Sequence, residues 1–218
     1  SHRLQQTHHQ LSPGYFALEY TSVKRASPRG SGTPRVDLAT HRLAFAEYCP
    51  SANADLRPTG EISLLVVHAI SLPPDEFVGC THIDALFQNR LDPAAHPYFE
   101  QIHELRVSAH ACIFRDGSVH QYVPFDRRAW HAGVSHFDGR DNCNDFSVGI
   151  ELEGCDTQPF TDIQYDRLAQ IARALMQVYP DITVDRIVGH SDIAPGRKND
   201  PGPCFDWNRV QYAVEFGR

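Results

Sequence analysis

Residues 62–71, ISLLVVHAIS, form a continuous apolar, β-branched run, the pattern of a strand covered on both faces in the middle of a sheet, and His68 stands at its far end. FSVGIELEG (146–154) alternates instead, with Val148, Ile150 and Leu152 on one face and Gly149, Glu151 and Glu153 on the other. Two carboxylates thus share a side. Between these strands the pattern predicts helices over IDALFQNRL (83–91) and PYFEQIHEL (97–105), the second opening on Pro97, where a missing N–H costs little. RVSAHACIF and SVHQYVP flank Arg115-Asp116-Gly117, a hairpin signal.

A long helix is predicted over TDIQYDRLAQIARALMQVY. Thr161 and Gln164 fit a capping box, Tyr165, Leu168, Ile171, Ala172, Leu175 and Tyr179 make an apolar stripe, and Pro180 ends it. TVDRIVGH reads as a last short strand that again ends in a histidine, followed by the loop GHSDIAPGRKNDPGPCFDW (189–207), rich in glycine, proline and charge. Together these elements predict an α/β fold: a mixed central β-sheet flanked by α-helices, with a site where strand ends gather His68 and His190. RASPRGSGTPR (25–35) has linker composition, so the chain divides into an N-terminal extension over 1–45 and a domain over 46–218.

Composition narrows the functional classes. With 218 residues, 41% apolar and 22% charged, the chain can bury a core without disulfide or metal staples, so a metal would be functional. No apolar run approaches the roughly 20 residues of a membrane span. Residues 1–35 carry five cations against Glu19, a net of +4 that leaves −11 for the rest out of the total of −7. An acidic body without a basic, aromatic-interleaved stripe excludes gripping a nucleic acid backbone. Six cysteines lie scattered without CxxC pairs and read as reduced thiols. The first twenty residues hold no continuous apolar segment of the secretory kind, so the expected location is cytoplasmic.

Zinc catalysis needs neutral imidazole and carboxylate ligands on rigid supports, with one position left open. His68 and His190 qualify by placement, and Asp200 or Asp192 supplies the third group from the proline-stiffened loop. No HExxH is present to fix two ligands on one helix. Glu151 is the candidate general base because it points away from its strand's apolar face, and Lys198 is a candidate for oxyanion stabilisation.

The motifs LLVVHAISLPP, HPYF, LRVSAHACIFRDG, QYVPFDRRAWHAGVS, CNDFSVGIELEG and GHSDIAPGRKNDPGPCFDW, in one order from about Tyr48 to Val210, closely resemble the AmpD-type 1,6-anhydro-N-acetylmuramoyl-L-alanine amidases. These belong to the zinc amidase superfamily that includes peptidoglycan-recognition proteins. The resemblance implies one zinc ion per chain on His68, His190 and Asp200, with Glu151 as catalytic acid–base and Lys198 as oxyanion partner. It implies hydrolysis of the amide between the lactyl group of anhydro-muramic acid and L-alanine of a muropeptide, with Tyr98, Arg106, His110 and Trp130 contacting substrate. Two positions depart from the family: Ala69 follows the first histidine where asparagine is common, and Asn142 or its neighbour replaces an arginine. The rival readings are a periplasmic amidase acting on intact murein and a recognition module that binds muropeptide without cutting it.

Overall fold

The two strongest strand patterns are neighbours. The computed structural model describes residues 34–217, and in it a six-stranded sheet is built from β1 (Glu47–Tyr48), β2 (Leu64–Ile70), β3 (Ala111–Ile113), β4 (Val119–Gln121), β5 (Ser147–Glu153) and β6 (Ile187–Gly189). Their spatial order is β6-β2-β5-β3-β4-β1. β6, β2, β5 and β3 run parallel, β4 turns back antiparallel to β3, and β1 lies parallel to β4 at the edge. β2 and β5 pair along their whole length, from Leu64 opposite Ser147 to Ile70 opposite Glu153.

Residues 64–67 have no exposed surface because their period of two feeds two different cores. Leu65 and Val67 join Val148, Ile150 and Leu152 beneath the long helix, while Leu64 and Val66 pack on the opposite face with Ala132, Phe146 and Ile193. That long helix, Asp162–Val178, is capped as its sequence predicts: Thr161 Oγ1 accepts the Gln164 amide and the Gln164 side chain accepts the Thr161 amide. Its buried face is Tyr165, Leu168, Ile171, Ala172 and Leu175.

The remaining helices complete the order: α1 is Cys80–Phe87, α2 Pro97–Ile102, α3 the long helix, α4 the single turn His190–Ile193 and α5 Trp207–Phe216. α1 begins and ends earlier than its apolar run, since Asn89 takes a left-handed φ of 58° just beyond it. α2 likewise stops at Ile102, short of residue 105. α5 has no counterpart among the predicted elements. Asp206 caps it by accepting the Arg209 amide, and Val210, Ala213 and Val214 bury one face. The expected strand over 183–190 opens as a 3-10 turn at Val184–Arg186, and only Ile187–Gly189 pair. The hairpin forms as read, with Gly117 at φ 81°.

Two buried residues of the predicted extension pack with the domain. Val36 and Leu43 are buried in the main core, and the Leu43 amide donates to Gln121 Oε1. Residues 1–33 of the predicted extension fall outside the described residues.

Candidate metal centre and cleft

Three adjacent parallel strands deliver three of the predicted groups at their carboxyl ends, where α/β sheets hold their ligands. His68 of β2 is directly opposite Glu151 of β5, and β6 pairs Gly189 with Val67, so that His190 emerges beside His68 as the first residue of α4. Asp200 reaches them from the loop, which is tied back by the Ser191 amide donating to the Asp200 carbonyl. His68 Nδ1 and His190 Nδ1 are 3.0 Å apart, and each is 3.2 Å from Asp200 Oδ2. Gly189 permits this convergence, because a Cβ there would meet Pro201 Cδ at 2.9 Å.

Hydrogen bonds behind the rings decide which nitrogens face inward. His190 Nε2 donates to the Ala132 carbonyl, which can only accept, so a neutral ring turns the bare lone pair of Nδ1 toward the cluster. His68 Nε2 is 2.8 Å from His131 Nδ1, and His131 Nε2 is 3.0 Å from Ser147 Oγ, a relay that can hold His68 in the same tautomer. Two inward lone pairs and a carboxylate oxygen repel one another unless a cation sits among them. Their separations approach the ~3.3 Å edge of a tetrahedron with zinc–ligand bonds of ~2.0–2.1 Å. The donor set therefore fits a small divalent ion.

Burial pushes the His68 and His131 pKa values down, with the nearby Asp200 carboxylate opposing this at His68 and the neighbouring imidazoles reinforcing it at His131. Burial alone would raise the Asp200 carboxyl, but the two imidazoles beside it bring it well below the usual carboxylate range. Burial pushes Glu151 well up, helped by the Asp200 charge and opposed by Lys198. Glu151 Oε2 is buried and has no hydrogen-bond partner among the described residues. Glu153, two positions on, is fully engaged instead, accepting the amides of Gly79 and Arg115.

The cluster lies at the base of a cleft of about 370 Å³. Tyr98, Trp130, Lys198 and Ala69 line it. Arg106 is exposed and bends back to donate to the carbonyls of Glu104 and Leu105. Asp192 turns away to accept the Gly189 amide, leaving Asp200 as the carboxylate of the cluster. Asn142 has a left-handed φ of 60° ahead of a 3-10 turn.

His110 does not meet its expectation of a substrate contact. It is 0% exposed behind the cleft; its Nδ1 accepts the Gly149 amide and its Nε2 donates to the Arg127 carbonyl, so both nitrogens are spent inside the protein. Sequence reasoning missed His131, which supports His68 from behind. The available signal was Gly149: a Cβ there would lie 2.4 Å from His131 Cγ, so the glycine makes the room that the ring occupies.

Residues 58–203 match the N-acetylmuramoyl-L-alanine amidase family. The chain belongs to that amidase family. It is 59% identical over 173 residues to the 1,6-anhydro-N-acetylmuramyl-L-alanine amidase AmpD of Escherichia coli (strain K12), covering 79% of this chain and 93% of the relative. The crystal structure of a selenomethionine AmpD derivative superposes with a TM-score of 0.78 at 57% identity, over 80% of this chain and 97% of that one. A more distant amidase, AmiD from E. coli in complex with the substrate anhydro-N-acetylmuramic acid-L-Ala-D-γ-Glu-L-Lys, is 30% identical with a TM-score of 0.51, over 68% of this chain and 56% of that one. No described helix is long and apolar enough to cross a membrane.

Proposed function

We propose that this amidase is a zinc enzyme of cell-wall recycling in the cytoplasm. It cleaves the amide between the lactyl carbonyl of 1,6-anhydro-N-acetylmuramic acid and L-alanine of the stem peptide. His68, His190 and Asp200 would hold the ion, which when bound supplies a Lewis acid for the scissile carbonyl and makes water a stronger nucleophile. Glu151 accepts the proton of the attacking water and passes it to the departing alanine nitrogen. Its buried carboxylate is suited to this, because a raised pKa brings a base toward the working pH. Lys198 carries its charge at the cleft wall to offset the developing oxyanion. Tyr98 and Trp130 offer ring faces to the sugar, and Arg106 at the rim can pair with a stem-peptide carboxylate.

The observation that carries this reading is the unpartnered oxygen of Glu151 beside a three-donor cluster at the floor of an open cleft. The test incubates zinc-loaded protein with anhydro-muramoyl tripeptide and, separately, with intact murein, followed by mass spectrometry. Peptide released from the anhydro-muropeptide supports the proposal. Preferential cleavage of murein shifts the reading to a periplasmic enzyme, and release from neither makes the chain a binding module.

A further inference from the structure

A second group of metal-ligating side chains lies among β1, β4 and α1 and shares no residue with the cleft. Cys49 directly follows β1, Asp84 is buried in the middle of α1, and His120 is the central residue of β4. Cys49 Sγ is 3.6 Å from His120 Nδ1, and that nitrogen is 3.0 Å and 3.1 Å from the two oxygens of Asp84. One donor atom from each residue thus lies within 4.8 Å of the others.

Three further observations point to a ligand. His120 Nε2 faces Glu47 Oε2 at 3.5 Å, because β1 pairs Glu47 opposite His120. A carboxylate behind the ring directs Nδ1 toward Cys49 and Asp84, the arrangement that orients a ligating histidine. Tyr122 Oη donates to Asp84 Oδ1 at 2.7 Å and fixes the carboxylate from its other side. Cys80 stands one helical turn before Asp84 on the same face of α1. The convergence of thiol, imidazole and carboxylate, with a second thiol at its edge, is a donor set of the kind that holds zinc in closed sites.

We propose that Cys49, Asp84 and His120 form a second, structural zinc site that pins the edge of the sheet to α1. Burial and the charges of Asp84 and Glu47 push the Cys49 thiol up to about 11, so the thiol keeps its proton until a cation arrives. Binding expels the thiol proton of Cys49, and any proton on His120 Nδ1, to solvent, and the ion takes their place.

The test loads the metal-free full-length chain with Co²⁺ to saturation and records metal content together with the near-ultraviolet spectrum. The His68, His190 and Asp200 cluster offers no sulfur, so a thiolate-to-cobalt charge-transfer band reports the second site alone. Two equivalents per chain with that band are expected. Asp200→Ala should lose one equivalent and keep the band. Cys49→Ser and His120→Asn should each lose the band and one equivalent while amidase turnover remains. A wild-type circular dichroism spectrum for His120→Asn shows that the loss is not unfolding. A single equivalent without the band in the wild type, or a band that survives both Cys49→Ser and His120→Asn, overturns the proposal.

Discussion

Glu151 and His68 face each other across adjacent parallel strands, with Glu151 Oε1 4.0 Å from His68 Nδ1. The position of the proposed proton carrier relative to the three-donor cluster is therefore fixed by sheet register and not by a mobile loop. Glu151→Gln keeps the shape and removes the basicity. Its metal content should equal the wild type while turnover falls ~10²–10⁴-fold. Elemental analysis and steady-state kinetics on one preparation check this, and comparable turnover would remove Glu151 from the proton path.

Asp200→Ala leaves two imidazole nitrogens 3.0 Å apart with no carboxylate to complete the set. Zinc affinity should fall by more than the ~10–100-fold typical of losing an outer partner. Competition with a chromogenic chelator measures it. Unchanged affinity would mean that the ion sits elsewhere.

Gly149→Ala tests the support behind His68. The added Cβ would lie 2.4 Å from His131 Cγ, and β5 is held by neighbours on both sides, so the ring is the part that must move. Overpacking should lower stability by ~1–3 kcal/mol. Losing the His131 contact to His68 should weaken metal binding ~10–100-fold. Chelator competition and thermal denaturation read the two effects separately, and wild-type metal affinity would exclude an orienting role for His131.

Burial lowers the His110 pKa to about 3, reinforced by the Arg57 guanidinium; protonation would also set a second N–H against the Gly149 amide. The unfolded chain takes up that proton near pH 6.5 and the folded chain does not. The contribution to stability is therefore complete above about pH 6.5 and lost as pH falls toward 3, at up to ~1.4 kcal/mol per pH unit. Urea midpoints between pH 7.5 and pH 4.5 should show a shallower decline in His110→Asn than in the wild type. Equal slopes would rule out His110 as the source.

Elements with a sustained apolar period were legible in the chain. β2, β5 and α3 bury most of the residues their patterns marked, Tyr179 just beyond α3 being half-buried, and His68, His190 and Asp200 meet because two strand ends and one tied loop bring them together. The packing of residues 34–45 on the domain was not legible, since Val36, Leu38, Leu43 and Phe45 follow no sustained strand or helix period and only the structure shows that Val36 and Leu43 join the core. His110 was read as a cleft residue because a motif shows which residue is present but not which way its ring points; here the ring is buried and bonded to the Gly149 amide and the Arg127 carbonyl. His131 stayed hidden for a related reason: its role depends on the absent side chain of Gly149, eighteen positions later. Cys49, Asp84 and His120 follow no spacing rule and become neighbours only through strand pairing and the placement of α1.

The backbone bond from Ser191 to Asp200 closes a small lasso, whose knot holds His190 beside Asp200 and whose noose carries Lys198. The spacing of the two cluster residues is thereby set at the knot, while the noose shapes the cleft wall.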